Sequence, residues 1–209
     1  MIRWLLAECP RLGDVPVPDD EQGQKRLLRS LFNVRLPSLA PQEFLRVQDE
    51  YLKEAAAAKG IADAAMLPYG RHGLCIWQGD ITTLRCGAIV NAANSGMTGC
   101  YVPCHACIDN AIHTYAGVQL RCLMDSIMRE QGHEEATGTA KITPAFNLPC
   151  RHILHTVGPI VCGPLTRLHE VQLKSCYASC LNLAWAHHVE SIAFCCISTG
   201  EFHFPARRA

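Results

Sequence analysis

Apolar and polar positions follow two different rhythms along this chain. Between Asp19 and Asn33 the apolar residues fall at Leu27, Leu28, Leu31 and Phe32, which is the spacing of one helical face. Pro37 and Pro41 interrupt the pattern. A second stripe, Phe44, Leu45, Val47, Tyr51 and Leu52, then runs into Ala55–Ala58 and predicts another helix. Stripes of this kind cover a core. Residues 1–70 therefore read as a helical N-terminal extension docked on a main domain of residues 71–209.

From Leu74 onward short apolar runs alternate with helical patterns. The runs Leu74–Trp77, Ala88–Ala93, Ala140–Phe146, His152–Val157 and Ser191–Ile197 predict five strands buried on both faces. Helices are predicted over Ile108–Tyr115, over Val118–Gln131 closed by Gly132, and over Arg167–His187. This alternation implies an α/β sheet with helices on both sides. Ligands of such sheets bind at the carboxyl ends of the strands. Three polar loops stand at predicted strand ends: Gly79–Thr82, Asn94–Asn110 and Ser198–Phe204.

Composition narrows the classes. With 209 residues, 49% hydrophobic and 18% charged, the chain can bury one substantial core with room for a small appendage. Its 19 acidic and 19 basic residues cancel, which argues against a nucleic acid polymer as partner. The apolar run at Met1–Ala7 is too short for a signal peptide and Glu8 follows it. No stretch reaches the roughly 18 apolar residues of a membrane span. The expected location is cytoplasmic, with reduced thiols. Thirteen cysteines, an odd number, cannot all pair within one chain.

The loop Gly99–Asn110 carries the most chemistry. Cys100, His105 and Cys107 supply two thiols and an imidazole within eight positions, a set that suits Zn²⁺. Their spacing is not the paired C-x2-C of a structural finger, and in a chain with 13 Cys and 10 His these residues can equally be reduced packing cysteines. The helix expected from Ile108 would offer free N–H groups to a phosphate. Ser198, Thr199 and Gly200 at a strand end read either as a phosphate cradle or as an ordinary turn. Asp109 reads as either a proton acceptor or a helix cap. Arg207 and Arg208 read as a solvated tail in preference to an anion contact.

Taken together, Gly79–Thr82, Ala88–Asn94, Gly99–His113, Leu154–Pro159 and Ile197–Pro205 resemble the macrodomains, which bind ADP-ribose. The Cys/His loop and the stripe from Leu28 to Leu52 resemble a zinc-containing branch, the microbial protein-ADP-ribosyl hydrolases. The resemblance implies an α/β/α sandwich with a mixed sheet. It implies that Asp80 accepts from the adenine amino group with Ile81 beside it. Asn94 would hold the distal ribose, and Ser198, Thr199, Gly200, Glu201 and Phe202 would wrap the diphosphate and ribose. Cys100, His105 and Cys107 would hold zinc and, with Asn94, form the catalytic set.

The implied partner is ADP-ribose or a mono-ADP-ribosylated protein, with no membrane and no particular oligomeric state. The implied reaction is zinc-dependent hydrolysis that frees ADP-ribose. A non-catalytic ADP-ribose reader, or a protein whose zinc only staples the loop, would share many of these residues. Two departures from the family stand out. Position 104 is Cys where the branch usually carries Asn, and the helix and final strand expected after Pro205 are missing from the chain. The latter predicts weakened stability and activity.

Overall fold

The computed structural model describes residues 1–9, 12 and 15–209. Three helices open the chain: α1 (Ile2–Glu8), α2 (Glu21–Val34) and α3 (Gln42–Lys59). Asp20 caps α2 by accepting from the Gly23 amide at 2.7 Å, and α3 begins directly after Pro41, whose ring cannot continue a helix backwards. Their apolar stripes meet as predicted. Leu5, Leu6, Leu28, Leu31, Phe32, Phe44 and Leu52 form one buried cluster, which reaches Val118 of the following domain. The helix α1 was not foreseen in the opening apolar run.

Beyond them lie β1 (Ala62–Asp63), β2 (Leu84–Arg85), β3 (Ala88–Ala93), α4 (Ile108–Ala116), α5 (Val118–Gln131), β4 (Ala140–Pro144), β5 (His152–Val157), α6 (Arg167–Ala186) and β6 (Ile192–Ala193). The main sheet has the order β4-β5-β3-β6. Both β5 and β6 run parallel to β3, and β4 runs antiparallel to β5, so the sheet is mixed. Short β1 and β2 pair in parallel beside it.

Strand β3 is central, and its alternate side chains enter two different cores. Ile89 and Ala93 pack against Ile112, Leu120 and Met124 of α4 and α5. Ala88 and Val90 pack against Leu173, Cys176 and Cys180 of α6. The result is the expected α/β/α layering, with each fully buried aliphatic side chain worth about 1.5–3 kcal/mol.

Two predicted strands need correction. Leu74–Trp77 forms no strand; Leu74 and Ile76 are exposed, and the chain pairs instead at Leu84–Arg85. The run is apolar, but among the described residues its backbone joins no strand ladder, and its one backbone–backbone bond is accepted at Leu74 from the Gly70 amide. Ser191–Ile197 pairs with β3 only at Ile192 and Ala193. After Ala193 the backbone departs from the sheet toward the loop that follows. Among the described residues, all 13 cysteines are free. No described helix is long and apolar enough to cross a membrane. Arg208 pairs with Glu170 of α6, in place of the solvated tail expected there.

Candidate active site

Strand β3 ends at Ala93 and hands the chain to Asn94, at the carboxyl edge where a ligand cleft is expected. The Asn94 side-chain amide donates to the Gly99 carbonyl and to Asp109 Oδ2, both at 3.2 Å. Its Oδ1 accepts from no group among the described residues and is left to the cleft. Asp109 is buried, and its other oxygen accepts from Asn91 Nδ2 at 2.8 Å. Burial raises its pKa to about 6 against the opposing pull of Asn91 and Arg121. Asn91 continues the network to His155 Nδ1 at 3.2 Å, and His155 Nε2 meets Thr143 Oγ1 at 3.0 Å. Asp109 is therefore not the cap of α4. That position belongs to Cys107, whose Sγ accepts from the Asn110 amide at 3.4 Å.

The loop before α4 gathers the three predicted donors. One ligand atom each from Cys100, His105 and Cys107 lies within 4.8 Å of the others. His105 Nδ1 is buried with no hydrogen-bond partner, and burial, reinforced by Cys100, pushes the Cys107 thiol up to about 11. A bare nitrogen and a thiol reluctant to ionise are what a divalent cation relieves, so these residues fit zinc. Glu201 Oε1 stands 3.7 Å from His105 Nε2, the side from which carboxylates orient metal-binding imidazoles. Cys104 is outside the group. Its backbone is left-handed (φ 52°), and its Sγ faces α2, 3.2 Å from Ser30 Oγ. Gly99 is required where it stands: φ is 87°, and a Cβ there would lie 2.6 Å from the His113 ring.

Two clefts meet at this loop. The smaller, about 410 Å³, is bordered by Asn94, the three donors and the Ser198–Phe202 turn. The larger, about 720 Å³, is bordered by Asp80, Ile81 and Trp77. They share Ala106, Cys107, Ile108, Cys195 and Cys196 as a common wall. At the far end, Asp80 Oδ1 accepts from the Thr82 amide at 2.9 Å and Oδ2 pairs with Lys59 Nζ at 3.0 Å. Burial pulls the pKa of Asp80 upward, but these bonds outweigh it and the net shift is downward, which keeps an anionic acceptor there.

The Ser198–Phe202 turn is pinned at both ends. Phe204, a buried anchor, donates its amide to the Ser198 carbonyl at 2.9 Å, and Phe202 accepts from the Val161 amide at 2.9 Å. Ser198 is left-handed (φ 63°) and its buried Oγ has no partner. The amides of Gly200, Glu201 and Phe202 donate to no acceptor among the described residues. Thr199 differs: its amide and hydroxyl both turn back to the Cys196 carbonyl, and it does not line the cleft. Three residues escaped the sequence reading as parts of the site. Asp109 stands outside the catalytic set that the resemblance implies, and Arg29 and Arg121 reach the loop from helices with no motif to mark them.

A mixed sheet layered between helices, with a cleft at the end of its central strand between a helix start and a glycine-bearing turn, defines an α/β/α ligand-binding domain. The model of the Macro domain family matches residues 90–209, and the chain belongs to that family. A protein-ADP-ribose hydrolase of Treponema medium is 61% identical over 213 residues, covering 100% of this chain and 82% of the relative. One from Staphylococcus aureus is 44% identical over 194 residues, covering 92% and 73%. Among solved structures, the Oceanobacillus iheyensis macrodomain with ADP is 39% identical with a TM-score of 0.55, covering 61% of this chain and 65% of that one. The Trypanosoma brucei macrodomain in complex with ADP is 28% identical with a TM-score of 0.56, covering 85% and 77%.

Proposed function

We propose that this chain hydrolyses the bond between ADP-ribose and a modified protein side chain, with Cys100, His105 and Cys107 holding zinc. One juxtaposition carries the reading. Three soft donor atoms within 4.8 Å border the same cleft as Asn94 and the Ser198–Phe202 turn. The relatives named protein-ADP-ribose hydrolase support the same reaction.

In this reading Asp80 accepts from the adenine amino group, with Ile81 beside it. The amides of Gly200, Glu201 and Phe202 donate to the diphosphate, while Ser198 and Thr199 shape the turn. Asn94 Oδ1 accepts from a distal ribose hydroxyl, and Asp109 keeps the amide turned that way. A zinc ion would supply Lewis-acid polarisation of oxygen at the reacting end. Water forms a bond to C1″ of the distal ribose as the bond from C1″ to the protein side chain breaks. One water proton ends on the leaving side chain, and free ADP-ribose and unmodified protein result. Residues 1–70 serve as an extension and 71–209 as the macrodomain. The donor set belongs in the cytoplasm, where thiols stay reduced.

The test is ADP-ribose release from an auto-modified protein, with and without a zinc chelator, alongside the zinc content of the chain. Release that stops on chelation is expected. Undiminished release from zinc-free protein would remove the metal from the reaction. ADP-ribose binding without any release would make the chain a reader.

A further inference from the structure

The donor loop has little regular structure of its own. Its one internal backbone bond runs from the His105 amide to the Val102 carbonyl at 3.2 Å. What holds it comes from outside, and most of that comes from α2. Arg29 donates through Nη2 to the His105 carbonyl at 2.9 Å and to Asn110 Oδ1 at 2.9 Å. Asn110 in turn donates to the Val102 carbonyl at 2.9 Å. One turn of α2 later, Asn33 Oδ1 accepts from the Cys104 amide at 2.8 Å, and its Nδ2 donates to Thr114 Oγ1 at 2.9 Å.

A second arginine closes the frame. Arg121 of α5 is buried, and among the described residues no carboxylate pairs with it. It donates to the carbonyls of Asn33 and Arg35 at 2.6 and 2.7 Å, and also to those of Thr98 at 2.8 Å and Cys100 at 3.3 Å. The end of α2 and the start of the donor loop are thus joined through one guanidinium. The backbones of two donor residues, Cys100 and His105, are each gripped by an arginine that touches α2 or belongs to it.

We propose that Arg29 and Asn33 are positioning residues for the donor loop, so that the N-terminal helices are a working part of the metal site. The proposal rests on the reading above for the metal alone; the bracing of the loop stands without it. Pre-organisation of this kind is what separates a tight metal site from a loose one, and supporting partners typically matter by 10–100-fold in affinity. Arg29 matches its two acceptors with a rigid fork that lysine lacks.

The experiment compares wild type with Arg29→Leu, Asn33→Leu and Asn33→Asp. Amide hydrogen exchange over residues 100–107 is followed in metal-free protein, and zinc affinity by chelator competition. Arg29→Leu and Asn33→Leu should speed exchange of the loop amides at least about 10-fold and weaken zinc about 10–100-fold. Amides of β3 and β5 should keep their protection. Asn33→Asp, which retains the acceptor for Cys104, should keep the loop slow. Unchanged loop exchange in both Leu variants would overturn the proposal. So would a uniform loss of protection across loop and sheet, the mark of a merely structural contact. If Arg29→Leu does not fold, Asn33→Leu against Asn33→Asp decides. A wild type that binds no zinc but has its loop loosened by Arg29→Leu would sink the metal reading and spare the bracing.

Discussion

Asp109 holds Asn94 by its amide nitrogen, 3.2 Å from Nδ2 to Oδ2, and so decides which face of that amide the cleft sees. Asp109→Ala removes one of the two bonds that orient the Asn94 amide and leaves only the Gly99 carbonyl. On the proposed reaction, kcat/KM should fall by about 10²-fold, because small misplacements of a positioning group cost that much. ADP-ribose affinity, read by calorimetry, should fall less. Equal activity in the variant would show that Asn94 orients itself.

Cys107 has two tasks that a single substitution separates. Cys107→Ser keeps an acceptor for the Asn110 amide but removes a soft donor. On the proposed reading, zinc content should drop from about one per chain toward none and hydrolysis should stop, with melting of the metal-free proteins hardly changed. Cys107→Ala also loses the cap of α4, and should cost about 1 kcal/mol more in denaturant unfolding.

Gly158 lies directly under the turn that borders the smaller cleft. A Cβ there would come 2.0 Å from Ser198 Oγ and 2.9 Å from Ile197. Gly158→Ala should therefore destabilise the chain by about 1–3 kcal/mol, as overpacked sites do. The Ser198 hydroxyl must swing away and Ile197 must shift, which disturbs the turn, so ADP-ribose binding should weaken more than the fold does. Normal binding in the variant would mean that the turn is more compliant than its pinned ends imply.

Acid should weaken the fold through His155. Burial drives its pKa down from 6.5 to about 3 in the folded protein. The folded ring stays neutral while the unfolded ring takes up a proton. Stability is thus intact above pH 6.5 and lost progressively below it, by about 1.4 kcal/mol per pH unit for each such group. His113, with its ring centroid 6.1 Å from that of His155, is shifted the same way by burial, then by His155 and Arg121. Asp109 faces the pair twice, with Oδ1 3.6 Å from His113 Nε2 and, through Asn91, toward His155; its charge opposes the downward shift of His113 without overcoming burial. Denaturant titrations of metal-free protein between pH 5 and 8 should show the decline, and His155→Gln should make it shallower. A flat profile would mean that the rings are already accessible to protons.

Much of this architecture can be read from periodicity because its elements bury continuous apolar faces. Ala88–Ala93 and Val118–Gln131 match their predicted bounds for that reason. Leu74–Trp77 misled because hydropathy does not say which backbone will pair, and β3 accepts β6 over only two residues. The donor trio was visible because thiols and imidazoles at close spacing carry their own chemistry. Its supports were not. Arg29 and Arg121 act on backbone carbonyls, which every residue possesses, so no pattern of side chains announces them. A helix start leaves Asp109 open to two readings, proton acceptor or cap, and only the structure gives the cap to the thiol of Cys107.

The N-terminal helices touch the cleft at both extremities. Lys59, the last residue of α3, reaches Asp80, and Arg29 of α2 reaches the carbonyl of His105. Between those contacts α2 and α3 are packed together through Leu28, Leu31, Phe44 and Leu52. The span from one end of the cleft to the other is thus gauged by a stiff helical pair, much as a caliper fixes the gap between its jaws. On the proposed reading, a ligand too short to bridge that gap would meet Asp80 or the donor loop but not both, so its length would become a criterion of recognition.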